Sequence, residues 1–170
     1  MSKSIYIQVT LDAVGIMSAY PNSSKNANNP TQISLNYTYM VPSINAVSGS
    51  GTGDLEITAL VGDDVNFAGV SASNNRQNTV LIYEVSRVSG DNVFTNFANR
   101  TLVARTAVPD GSSVIPPAII NENFSFFNAT VIQRGTERYR ITFALYTRDG
   151  SGEPVLYGYF TWDPTIIVQG

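Results

Sequence analysis

Apolar side chains recur at every second position near both ends of the chain. Ile5, Ile7, Val9 and Leu11 fall on one side of an extended backbone, with Tyr6, Gln8 and Thr10 on the other. Tyr139, Ile141, Phe143 and Leu145 alternate with Arg138, Arg140, Thr142 and Ala144 in the same way. Successive side chains of a strand point to opposite faces, so this period marks strands with one face on a core and one toward water. Further strands are predicted at Ile33–Val41, Asp54–Val61, Thr79–Val88, Thr101–Ala107, Asn123–Gln133, Val155–Trp162 and Thr165–Val168, all rich in β-branched and aromatic residues.

Turn chemistry separates these segments. Ser48–Gly53, Gly62–Asp64, Ser89–Asn92, Pro109–Gly111 and Asp149–Gly152 combine Gly with Asn, Asp or Ser, residues that tolerate positive φ or bond their own backbone. The last of them predicts a hairpin between Arg138–Thr147 and Val155–Trp162. About nine strands with such punctuation predict an all-β fold, an antiparallel β-sandwich or jelly roll. At most one short helix is expected, at Ala13–Tyr20, ended by Pro21 and weakened by Gly15. With no internal repeat and no linker, residues 1–170 are expected to form a single domain.

The chain contains no histidine and no cysteine. That removes the usual general base, the thiolate nucleophile and the common ligands of zinc, haem and iron–sulfur sites. Only 14% of residues are charged and the net charge is −3, so Asn, Ser, Thr and Gln must carry the polar surface. A negative chain with scattered basic residues disfavours nucleic acid and anionic membrane as partners. No segment approaches the length of a membrane span, and the first strand begins without a secretory signal, so a cytoplasmic location is expected.

Candidate chemistry is sparse. Gly49–Gly53 has no following Lys-Ser/Thr and leads into a strand, so it reads as a turn rather than a phosphate loop. Carboxylates remain for acid–base work, yet adjacency in sequence shows no pair across a cleft, and no enzymatic activity is expected. Oxygen-ligated calcium suits the residues better, with Asp63, Asp64 and Asn66 as the candidate ligands. Tyr157 lies opposite the core-facing parity of Phe160 and Trp162, where a ring could stack on a sugar while amides bond its hydroxyls. Asn22, Asn28, Asn29, Asp63 and Tyr157 are therefore the candidate ligand-binding residues.

Four stretches carry a resemblance: Ile5–Asp12; the loop from Tyr20-Pro-Asn-Ser-Ser to Asn28-Asn-Pro30; Tyr39-Met-Val41 with Gly51-Thr-Gly-Asp-Leu55; and Gly158-Tyr-Phe-Thr-Trp-Asp-Pro164. In that order they resemble the PixA/AidA family of bacterial inclusion-body proteins, nearly end to end. Ser23 stands where the family more usually has proline. The resemblance implies a small cytoplasmic bacterial protein, with some members stored as crystalline inclusions, and it supplies no catalytic residues. Two functions are expected from sequence and resemblance together. One is a lectin-like module for a carbohydrate, assisted by calcium. The other is a self-associating inclusion or storage protein without a specific ligand.

Overall fold

A computed structural model describes residues 2–111 and 113–170. Its strands are β1 (Ser4–Leu11), β2 (Thr31–Gln32), β3 (Thr38–Pro42), β4 (Ala46–Ser48), β5 (Leu55–Thr58), β6 (Asp64–Ser71), β7 (Thr79–Gly90), β8 (Ala98–Asp110), β9 (Ser113–Thr130), β10 (Gly135–Arg148), β11 (Pro154–Trp162) and β12 (Thr165–Gln169). One helix, α1 (Ala13–Ala19), and a 3₁₀ turn at Leu35–Tyr37 complete the described elements. The all-β class and the single short helix follow the expectation from the sequence. Asp12 caps α1, its Oδ1 accepting from the Gly15 N–H at 2.9 Å. A Cβ at position 15 would collide with that carboxylate, which is why glycine stands inside so short a helix.

Two sheets enclose one apolar core. The first runs β3-β1-β6-β9-β8. In the second, β10 pairs β7 along one edge and the β11–β12 segment along the other. There β11 and β12 follow one line, broken only at Asp163-Pro164, with β2 beside β11 and β5–β4 beside β12. Ile5, Ile7, Val9, Leu11 and Phe67 from the first sheet meet Tyr139, Ile141, Phe143, Phe160 and Trp162 from the second. The predicted hairpin forms, pairing Ile141 with Trp162 and Phe143 with Phe160.

Most ladders are antiparallel, but β1–β6, β2–β11 and β5–β12 are parallel. Parallel neighbours cannot be joined by a tight turn, so these ladders link segments far apart in sequence. β6 was not expected as a strand. Its even positions carry Asp64 and Asn66 beside the Gly62–Asp64 turn, which hides an apolar series of only Val65 and Phe67.

The other departure is larger. β8 and β9 run well past the strands predicted within them, forming a ribbon from Ala98↔Asn128 to Asp110↔Ser113. β6 accompanies β9 only from Phe127 to Thr130. Beyond Phe126 the ribbon is two-stranded, an arm about 30 Å long at about 3.4 Å per residue. Pro116 and Pro117 lie near the tip, where Ser113–Ala118 faces only Val108–Asp110.

Candidate functional surface

The loop from Pro21 to Pro30 packs along β11 and brings Asn22, Asn28 and Asn29 into the same region as Tyr157. Ser23 Oγ donates to the Tyr157 carbonyl at 2.9 Å, and Tyr159 N–H donates to the Ser24 carbonyl at 2.8 Å. A Cβ on Gly158 would strike the Ser23 side chain, so two stretches that carry the resemblance lock onto each other. Asn22, Asn28 and Asn29 are exposed. Tyr157 is half-buried, its hydroxyl donating to the carbonyls of Met17 (3.0 Å) and Tyr20 (3.3 Å). One ring stacks with Phe160 at 6.3 Å and 11°, and Lys25 Nζ stands 5.1 Å from the ring centroid. The aromatic face that would meet a sugar is thus already engaged within the chain.

Asp63, Asp64 and Asn66 serve separate contacts. Asp63 is buried; Oδ1 accepts from Lys3 N–H at 2.7 Å and Oδ2 from Leu60 N–H at 2.9 Å. These backbone donors hold its carboxyl below the ordinary aspartate range. Asp64 Oδ1 accepts from Thr130 Oγ1 at 2.8 Å. Asn66 Oδ1 accepts from Asn128 Nδ2 at 2.9 Å, bridging β6 to β9. Among the described residues, no three Asp or Glu side chains group so as to hold a metal ion. Each Asp63 oxygen thus already accepts one backbone hydrogen bond, from Lys3 or Leu60.

One polar cluster escaped the sequence reading. Glu137 is wholly buried; its Oε2 accepts from Tyr139 hydroxyl (2.5 Å), Val93 N–H (2.8 Å) and Phe94 N–H (3.2 Å). Arg87 Nε forms an ion pair with Oε1 at 2.5 Å. Burial, and then the Glu137 acceptor, push the Tyr139 hydroxyl far above its usual value. The signal was present: Glu137 has the core-facing parity of Tyr139 and Ile141. Its partners are two backbone N–H groups, the Tyr139 hydroxyl and Arg87, so it ties the Val93–Phe94 segment to β10.

The most conspicuous open surface is the outer side of the first sheet, continuing onto the arm. In the body of β9, odd positions are apolar and buried: Phe127, Ala129 and then Val131. In the arm the aromatic residues and most of the apolar ones change parity, to Ala118, Ile120, Phe124 and Phe126 with Leu102, Ala104 and Val108 of β8 on the same face, while Val103 and Ile119 stay exposed on the opposite face. The reversal falls between Phe126 and Phe127, where β9 parts from β6. At the arm's base this face enters a shallow depression of about 440 Å³, lined by Tyr6, Val41, Pro42, Leu102, Phe124 and Phe126 among others. Tyr6, Val41 and Leu102 are 53%, 49% and 50% exposed. Adjacent apolar side chains left in water on this scale mark a contact surface.

These features define a two-sheet β-sandwich whose motif residues pack the fold and whose unsatisfied surface is an apolar ribbon. The family follows from comparison. The chain belongs to the PixA inclusion body protein family, whose model matches residues 3–168. The crystal structure of an inclusion body protein (PixA) from Burkholderia cenocepacia J2315 is similar, with a TM-score of 0.86 and 31% sequence identity. The likeness covers 99% of this chain and 97% of that one. No curated protein matches this sequence. Among the described residues, no helix is long and apolar enough to cross a membrane.

Proposed function

We propose that this is a non-enzymatic protein that associates with itself and accumulates as inclusions in the cytoplasm. The observation that carries this reading is the apolar outer face running from the sheet body onto the arm. Membership of the inclusion body family supports it, as does a chain with only 14% charged residues, which weakens repulsion between copies. The free edge of β8 adds unpaired backbone donors and acceptors, an ordinary route to contact between chains. Thin-section electron microscopy of cells producing the protein tests this reading. Dense, ordered bodies are expected, and protein dispersed through the cell at high abundance would overturn it.

A carbohydrate-binding role is the weaker reading. It retains the exposed amides of Asn22, Asn28 and Asn29 but loses Tyr157 as an open stacking platform. A glycan array with and without calcium separates the two: saturable binding weakened by Asn28→Ala would restore the lectin reading.

A further inference from the structure

We infer that the arm is a homodimer contact, in which the apolar faces of two arms stack about a two-fold axis near Leu102 and Phe124, with Arg100 of each copy reaching Glu122 of the other. The inference rests on the self-association reading and assigns it a place and a partner, a second copy of this chain.

Three observations lead there. First, a two-stranded ribbon is marginal in water by itself, and this one keeps Leu102, Ile120 and Phe124 about half exposed on one face. Second, that face carries two charges of opposite sign, and among the described residues neither makes an ion pair. Arg100 lies opposite Phe126, and Glu122 lies opposite Ala104, four residues further along β8. At about 3.4 Å per residue they stand about 14 Å apart, beyond each other's reach within one copy. Leu102 and Phe124, themselves a cross-strand pair, lie midway between them.

Third, symmetry makes this pattern complementary to itself. A two-fold axis through the Leu102–Phe124 level lays the Arg100 level of one arm over the Ala104–Glu122 level of the other. Both charges then find partners, twice, at the edge of an apolar centre, the usual arrangement of a specific interface. An arm about 30 Å by about 10 Å, with the neighbouring depression, offers on the order of 600 Å² per copy, where specific interfaces begin. A partner of a single charge sign would meet one of these two residues with repulsion.

Charge exchange tests the contact in purified full-length protein. Arg100→Glu and Glu122→Arg are each expected to weaken dimerisation about tenfold or more in sedimentation equilibrium. The double variant R100E/E122R is expected to return to within about threefold of the wild type, because it rebuilds the same pair reversed. Leu102→Asp, an exposed site, is expected to give a monomer with an unchanged circular dichroism spectrum. Single variants that dimerise like the wild type, a double variant weaker than both singles, or wild-type protein monomeric at millimolar concentration would each overturn the contact. Ordered inclusions formed equally by wild type and both single variants would overturn it while leaving self-assembly standing. A charge-restored dimer in cells without inclusions would support it while sinking the inclusion reading.

Discussion

β9 passes one kind of sequence through two surroundings. From Phe127 onward it lies between β6 and β8, and its apolar residues face the second sheet; Phe127 is 7% exposed. Before Phe126 it pairs with β8 alone, and Phe124 is 40% exposed. Had the arm been a mere overrun of the core pattern, its apolar positions would have kept their odd parity. Phe124, Phe126 and Ile120 take the even parity instead, pointing away from the side on which the core lies, while Ile119 keeps the odd one. Burial in the body is satisfied within the chain, whereas the arm leaves Leu102, Ile120 and Phe124 40–50% exposed.

The comparison can be broken at several points. Phe127→Ala should cost about 3–5 kcal/mol in chemical denaturation, the range for emptying an aromatic site in a core. Phe124→Ala should cost under about 1 kcal/mol, as surface substitutions do; equal losses at the two sites would erase the distinction between body and arm. Glu137→Ala should cost about 3 kcal/mol, because it strands the buried Tyr139 hydroxyl and the N–H groups of Val93 and Phe94; urea denaturation reads this directly.

Asp63→Ala should cost about 1–3 kcal/mol near neutral pH through the orphaned N–H groups of Lys3 and Leu60. Its carboxyl is held low in the folded state, so the stabilisation is present above the ordinary aspartate value of about 3.9 and fades as pH falls through the lower folded value. Thermal melts of wild type and variant should therefore converge in acid. Asp163→Ala should cost about 1 kcal/mol in the same melts: it loses the two-pronged contact with Arg140 at 3.0 and 3.1 Å, on an arginine that is half in water. The smallest effect on stability is expected from removing the arm, joining Thr101 to Ser125 through an Asn-Gly turn. The shortened protein should melt within a few degrees of the parent yet sediment as a monomer.

Much of the sandwich was legible because its strands obey a strict period. β1, β10 and β11 could be read from alternation, and the β10–β11 hairpin from Asp149–Gly152. β6 was not, since two of its outward positions are polar residues whose bonds to β9 and to the Ile5 carbonyl emerge only with the sheet assembled. The arm was half legible: Thr101–Ala107 and Asn123–Gln133 were expected as strands, but no local rule says that a hairpin will outrun its sheet. At Tyr157 the parity misled: the β10–β11 register shifts there, so the ring packs against Phe160 and the core instead of facing away from them, and its hydroxyl is taken up by Met17 and Tyr20. The stretches that carried the family resemblance prove to be fasteners: Ser23 against Gly158, Asp54 accepting from the Thr165 N–H at 2.6 Å, and Asp163 on Arg140.

The parallel ladder between β5 and β12 also sets an order of events. Ile166 docks beside Leu55, so β5 and β4 have no seat in the second sheet until a segment more than a hundred residues downstream has been synthesised. Hairpins such as β8–β9 close locally and early, while this long-range pairing comes late and slowly. The second sheet of a newly made chain therefore cannot shut until the far end of the polypeptide is available to seat β5.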